Sequence, residues 1–158
     1  MSFSYETKNE LCRLPVQKLC CARAEAYGIL LYCNTFSATE VRVITENPNF
    51  AERLPKLFRR AFGLSFDRQP DKEQIEGKRI FQITDPRKLN HIINVLGYDP
   101  QQNLVLHINF AFMEEACDQA AFLRGAFFAG GSITDPQKRY HLELTTSHLQ
   151  VSREIESL

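Results

Sequence analysis

The sequence predicts an α+β fold built from two divergent repeats, each with a small-residue helix packed on an antiparallel sheet, the second repeat cut short. Three observations carry this. First, residues 122–134 (Phe-Leu-Arg-Gly-Ala-Phe-Phe-Ala-Gly-Gly-Ser-Ile-Thr) read as an apolar helix that stops at a double glycine and runs straight into a strand. Gly125 and Ala129 are one turn apart and leave room for a second backbone. Gly130 and Gly131 are expected to supply the permissive dihedrals that end the helix. Second, Ala24–Phe36 has the same outline as Ala121–Ile133, with Gly28 aligned on Gly125. Third, period-two alternation marks strands beside both helices.

The elements follow in order. Residues 3–13 form a short helix, with Ser4 as its expected cap. Residues 16–33 form a longer one, with Val16, Leu19, Cys20, Ala24, Tyr27, Leu30 and Leu31 near helical spacing. Val41, Val43 and Thr45 alternate with charged neighbours in a strand at 40–46. Glu46-Asn47-Pro48-Asn49 is a turn, and Asn49 is the expected cap of a helix over 50–62 that Pro55 should kink or delay. Strands are expected at 64–69 and 78–84. Asp85-Pro86 opens a helix that Gly97 stops. Residues 99–118 connect, with an apolar segment at Leu104–Phe112. The glycine-stopped helix covers 119–129. Asp135-Pro136 marks a hairpin turn, and Tyr140, Leu142, Leu144 and Thr146 share one face of the next strand. Thr146 or Ser147 is the expected cap of a last helix near Leu149. The organisation is therefore 1–98 with the first repeat, 99–120 as connection, and 121–158 as an incomplete second repeat. A chain trimmed from a longer protein is the expected explanation.

Composition narrows the function. Twelve Phe supply core material without any Trp. No apolar run approaches a membrane span, and the N-terminus lacks the pattern of a secretory signal. Neither a membrane partner nor a cofactor is expected. The odd cysteine count (Cys12, Cys20, Cys21, Cys33, Cys117) without Cys-x-x-Cys spacing fits reduced structural thiols in a cytoplasm, so no metal site is expected. Vicinal Cys20-Cys21 fits helix packing, with a redox switch as the alternative. A formal net charge of zero argues against strong nucleic-acid binding by this segment alone.

Leu123–Gly131 resembles the LAGLIDADG helix of homing endonucleases at its small and apolar positions. That family places a metal-binding carboxylate next to last in the helix. Here the corresponding positions are Gly130 and, through the repeat, Cys33, and a one-residue shift in the first repeat brings only Asn34. Neither Gly130 nor Cys33 offers the oxygen that magnesium requires. A nuclease scaffold without the nuclease chemistry follows, unless Asp135 or Glu143 folds back. The four histidines (His91, His107, His141, His148) show no ligand spacing, and no phosphate-binding glycine loop is present.

The opening Met1–Leu11, the Cys20–Glu25 block and above all Ala121–Ser132, followed by Asp135-Pro136 and Tyr140–Glu143, give the whole chain a resemblance to the N-terminal half of the WhiA family. The resemblance implies a LAGLIDADG homing-endonuclease-like domain joined to a helix-turn-helix domain that this sequence does not include. It also implies a cytoplasmic, nucleoid-associated role in transcription, cell division, chromosome segregation or sporulation of Gram-positive bacteria. Double-stranded DNA, bound mainly through that other domain, and other regulatory proteins are the implied partners.

Candidate DNA-binding residues are Arg42, Lys78 and Arg79 in the first repeat, and Lys138, Arg139, His141 and Thr145 in the second. They fit phosphate and base-edge contacts along a saddle; a solvated sheet face fits them equally. Arg53, Lys56, Arg59 and Arg60 read as a solvated basic helix face. The rival class is a protein-interaction module on the same scaffold.

Overall fold

The computed structural model describes residues 2–16, 18–71, 73–74, 76–98, 106, 108–139 and 141–158. Helices α1 (Phe3–Leu11) and α2 (Leu19–Tyr32) lead into strands β1 (Thr35–Phe36) and β2 (Val41–Thr45). Helix α3 (Pro48–Phe62), strand β3 (Arg79–Ile83) and helix α4 (Pro86–Val95) complete the first half. A 3₁₀ turn at Phe110–Phe112 precedes α5 (Ala116–Gly130), β4 (Gly131–Ile133), β5 (Leu142–Leu144), α6 (Leu149–Glu154) and a final 3₁₀ turn. The α+β class with antiparallel sheets stands as read from the sequence. No helix among the described residues is long and apolar enough to cross a membrane.

The core is organised around α2. Ten of its residues, Ala22 and Ala24–Tyr32, are buried, including the charged Glu25. A helix apolar on all sides must be covered on all sides. Helix α5 crosses one side and α3 lies on another. Strands β1, β2 and β3 form one antiparallel sheet, with Val41 opposite Ile83 and Val43 opposite Phe81. Those four side chains are buried, while Arg42, Ile44, Ile80 and Gln82 alternate onto the more open face. Strands β4 and β5 form a separate two-stranded sheet, paired from Gly131–Leu144 to Ile133–Leu142.

Several local expectations are corrected. Asn47, not Asn49, caps α3: its Oδ1 accepts from the backbone N–H groups of Asn49 and Phe50, and Pro48 takes the first helical position, where it needs no N–H partner. The helix neither breaks nor starts late at Pro55, because Phe50, Leu54, Leu57, Phe58 and Ala61 anchor one continuous buried stripe on either side of it. Gly63 then ends it at φ 70°, a left-handed conformation suited to glycine. Ser2, not Ser4, caps α1; the Ser4 hydroxyl instead donates to the Ile133 carbonyl and accepts from the Ile133 N–H, tying α1 to the edge of β4. His148 takes the cap position of α6, and Thr146 supports it from outside by accepting the His148 N–H.

The strand expected at 64–69 shrinks to one bridge between Arg68 and Gln82. Leu64 and Phe66 are buried as the alternation requires. The Asp67 carboxylate, however, accepts from the N–H groups of Thr84 and Asp85 and pairs with Lys88, which fixes this segment to the start of α4. The second hairpin also differs. Leu142, expected to share a face with Leu144, is 60% exposed, because nothing among the described residues covers it. Tyr140 and, within the apolar segment Leu104–Phe112, Leu104, Val105 and His107 lie outside the described residues; Leu106 and Ile108 are buried.

The helix-foot groove and the candidate nucleic-acid interface

The crossing of α2 and α5 sets the geometry of everything at the helix ends. A Cβ built on Gly28 would collide with the carbonyl oxygen of Phe122 and sit 2.8 Å from the Ala126 nitrogen. A Cβ on Gly125 would collide with the carbonyl oxygen of Glu25 and sit 2.9 Å from its carbon. The two clashes are equivalent: each glycine meets the residue one turn before the other glycine. The same offset of 97 residues joins Cys21 to Asp118 in a contact at the N-terminal ends. The repeat read from the sequence is thus a real pseudo-twofold relation, and Gly28 and Gly125 are its contact points.

Gly130 and Gly131 act differently from the expectation. Neither has positive φ; Gly131 is extended at φ −100°. They are small because space is lacking. A Cβ on Gly130 would strike the Thr145 carbonyl and lie 3.1 Å from that of Tyr32, and one on Gly131 would lie 2.6 Å from the Phe127 Cα. Ala129 sits half-buried against the core beside them.

At the feet of the two helices lies a groove lined by Tyr32, Cys33, Asn34, Ala129, Gly130, Thr145, Thr146 and Ser147. No carboxylate is among them. Cys33 is buried, with its thiol directed at the carbonyls of Leu30 and Thr35, and burial pushes its pKa up to about 12. It is a neutral thiol at physiological pH. The Asn34 side-chain Oδ1 accepts from the Ile44 N–H, and the Thr146 hydroxyl donates to the Leu31 backbone carbonyl. Asp135 does not line the groove; its carboxylate accepts the Gln137 N–H within its own turn. Glu143 is engaged with His141 at 2.9 Å on the exposed hairpin.

The candidate DNA contacts divide into two patches. Arg42 lies on the open face of the first sheet, where its guanidinium pairs with Glu40 at 2.8 Å. The Gln82 amide donates to the same carboxylate, and these two hydrogen bonds hold the Glu40 pKa below the usual carboxylate value. Lys78 is exposed just before β3. Arg79 is not a surface residue. Strand parity puts it with Phe81 and Ile83 on the inner face, 6% exposed, where it donates to the carbonyls of Glu46, Gly77 and Gln74. It fastens the turn before β3 to the end of β2. In the second patch, Lys138, Arg139, His141 and Thr145 are all exposed around the β4–β5 hairpin.

Two groupings are absent from the sequence expectations. Glu25, fully buried on α2, accepts from Arg53 Nε at 2.7 Å, Arg53 Nη2 at 2.8 Å and Arg124 Nε at 2.5 Å. Arg53 also donates to the carbonyls of Cys12 and Leu14. Arg53 is therefore a buried clamp joining α3, α2, α5 and the α1–α2 connection, and only Lys56, Arg59 and Arg60 of the presumed basic face are exposed. The second grouping is Cys20, Cys21, Cys117 and Asp118, at the N-terminal ends of α2 and α5. Cys20 and Cys117 are exposed rather than packed into the core.

A helix pair crossing on glycine, set on antiparallel sheets with a groove at its feet, defines a LAGLIDADG-like domain whose metal-binding carboxylates are missing. Residues 119–158 match the WhiA LAGLIDADG-like domain family model. The chain is 33% identical over 165 residues to the "Probable cell division protein WhiA" of Ruminiclostridium cellulolyticum, covering all of this chain and 53% of that protein. It is 31% identical over 170 residues to the protein of the same name in Alkaliphilus metalliredigens, covering 54% of it. It thus spans about half the length of these curated relatives. The fold is similar to the crystal structure of the N-terminal LAGLIDADG domain of DUF199/WhiA, with a TM-score of 0.62 at 19% identity, covering 92% of this chain and 67% of that one. It is also similar to full-length DUF199/WhiA from Thermatoga maritima, with a TM-score of 0.60 at 20% identity, covering 91% and 44% of the two chains. Residues 119–158 thus carry the features of the WhiA LAGLIDADG-like domain, and the chain is similar to WhiA proteins along its whole length.

Proposed function

We propose that this domain is a non-catalytic DNA-binding element of a bacterial regulator of cell division. The observation that carries the non-catalytic part is the groove at the helix feet, whose lining holds no carboxylate. Metal-assisted phosphodiester cleavage needs oxygen ligands there to hold the cation and activate water. The DNA-binding part rests on Arg42 and Lys78 at the first sheet, and on Lys138, Arg139, His141 and Thr145 around the second hairpin. Roles in transcription and sporulation, and a place at the nucleoid, belong to the same proposal.

Purified protein is expected not to nick plasmid with Mg²⁺ or Mn²⁺. Metal-dependent nicking that disappears on mutating Asp135 or Glu143 overturns this reading. With zero net charge, duplex affinity should fall in the non-specific range of roughly 10⁻⁴–10⁻⁶ M. Replacing Arg42, Lys78, Lys138 and Arg139 together by Ala should abolish it and flatten its salt dependence while the thermal transition stays put. Arg79 is left out of that set because it is buried.

A second reading, a protein-interaction module, draws on the 60% exposure of Leu142 and on the neutralisation of Arg42 by Glu40. It forecasts no salt-dependent DNA affinity at all. A titration of labelled duplex at two salt concentrations separates the two.

A further inference from the structure

We propose that Cys20, Cys21, Cys117 and Asp118 bind one thiophilic divalent cation, Zn²⁺, which staples the N-terminal turns of α2 and α5 together. One ligand atom from each residue, three Sγ and a carboxylate oxygen, all lie within 4.8 Å of one another. Four ligands around zinc at Zn–S distances of about 2.3 Å need sulfurs roughly 3.8 Å apart, so a small rotation of the side chains closes the shell. Cys20 and Cys117 are exposed, and the Cys117 thiol makes that rotation by leaving its 3.6 Å contact with the Glu115 carboxylate. Cys21 already points its thiol at Asp118 Oδ1 across 3.6 Å, and Cys117 approaches the same oxygen at 3.9 Å.

The surroundings suit the charge. Three thiolates and a carboxylate leave a zinc site with two net negative charges. Cys20 and Cys21 lie in the first turn of α2 and Cys117 and Asp118 in the first turn of α5, so both helix dipoles direct their positive ends toward it, with the Glu115 carboxylate 3.6 Å from the Cys117 Sγ at its edge. Lys18 and Arg124 line the adjoining depression with Cys21 and Cys117. Soft thiolates select zinc over magnesium or calcium, and binding releases the thiol protons to solvent. The site lies at the opposite end of the helix pair from the carboxylate-free groove, so it is independent of the DNA-binding proposal.

The test uses the whole chain, reduced with a phosphine and freed of metal. Co²⁺ should produce a sulfur-to-cobalt charge-transfer band and the intense visible absorption of a tetrahedral site, saturating at one ion per chain. Zn²⁺ should displace it and raise the Tm. Cys117→Ser and the double variant Cys20→Ser, Cys21→Ser should abolish both effects. Asp118→Asn should weaken Zn²⁺ binding at least tenfold, and Cys12→Ser should change nothing. Circular dichroism confirms that each variant is folded. A pink, octahedral cobalt spectrum, or Zn²⁺ affinity unchanged in Cys117→Ser, overturns the proposal. So does a disulfide between Cys117 and Cys20 or Cys21 in protein taken from reducing cells.

Discussion

The sharpest test of the fold is Gly125→Ala, a change that ordinarily stabilises a helix. Exchanging Gly for Ala inside a helix gains about 0.8–1.0 kcal/mol from backbone entropy. At Gly125 the new methyl would press into the Glu25 carbonyl oxygen, lie 2.9 Å from its carbon and 3.1 Å from the Ile29 nitrogen. All three are backbone atoms in the most buried helix of the molecule, so no side chain can swing aside. Overpacking of this kind costs about 1–3 kcal/mol or more, and three backbone contacts place Gly125 at the upper end. The net expectation is a loss of about 1–2 kcal/mol, or roughly 2–8 °C in Tm for a chain of this size. Gly28→Ala should behave alike, since its methyl meets Phe122 and Ala126 in the mirrored way. Because both changes are relieved by one separation of the helices, the double variant should lose less than the sum of the singles. Urea and thermal denaturation measure this directly. A Tm for Gly125→Ala equal to or above that of the parent would refute the close crossing, and with it the repeat.

Arg53→Met removes the main partner of a fully buried carboxylate and leaves Glu25 to Arg124 alone, so a loss of about 3 kcal/mol is expected in urea titrations. Converting Glu25 to Met in the same chain should recover much of it; no recovery would mean that Arg53 acts only through its carbonyl contacts. Glu40→Gln frees Arg42 on the open face of the first sheet and should raise duplex affinity and steepen its salt dependence by up to about one phosphate contact. Acid acts in the same direction. The Glu40 pKa is depressed in the fold, so its contribution is present above the ordinary value of 4.5 and is lost as pH falls through the folded value, releasing Arg42. Thiol alkylation of the metal-free protein near neutral pH should modify Cys20 and Cys117 first and spare Cys33, whose burial holds its pKa near 12, until the protein unfolds.

Periodicity made the elements legible, and residue type obscured some of their faces. Val41 and Val43, Phe81 and Ile83 alternate inward as their spacing requires, and the same parity carries Arg79 inside with them. A reading by parity alone finds it; a reading that treats arginine as a surface residue does not. Arg53 shows the same conflict. It stands one turn from both Phe50 and Leu57, on the buried face, and Glu25 is what makes a guanidinium tolerable there. The caps at Ser2 and Asn47 were harder, because several hydroxyl or amide residues cluster at each helix start and only tertiary partners decide among them. Ser4 was drawn away by β4, and Asn47 was held in place by its amide bond to Asn9. Exposure of Leu142 has no local signal at all, since it depends on what else covers the hairpin.

The cysteine cluster and the carboxylate-free groove share one cause. When two helices related by a pseudo-twofold axis cross on paired glycines, equivalent positions meet at both ends of the pair. Toward the N-terminal ends the offset that superposes Gly28 on Gly125 brings Cys20 opposite Cys117 and Cys21 opposite Asp118. Toward the C-terminal ends it brings Cys33 opposite Gly130, where a nuclease would need two carboxylates. Motif spacing along the chain shows neither meeting, because the partners are nearly a hundred residues apart. Alignment of the repeat on itself shows both. The scaffold therefore still focuses two equivalent positions onto one point at each end; what changed is the chemistry placed there. At the feet, a neutral buried thiol and a glycine cannot hold a hard cation. At the heads, three sulfurs and an oxygen within 4.8 Å have the softness and count for a thiophilic one.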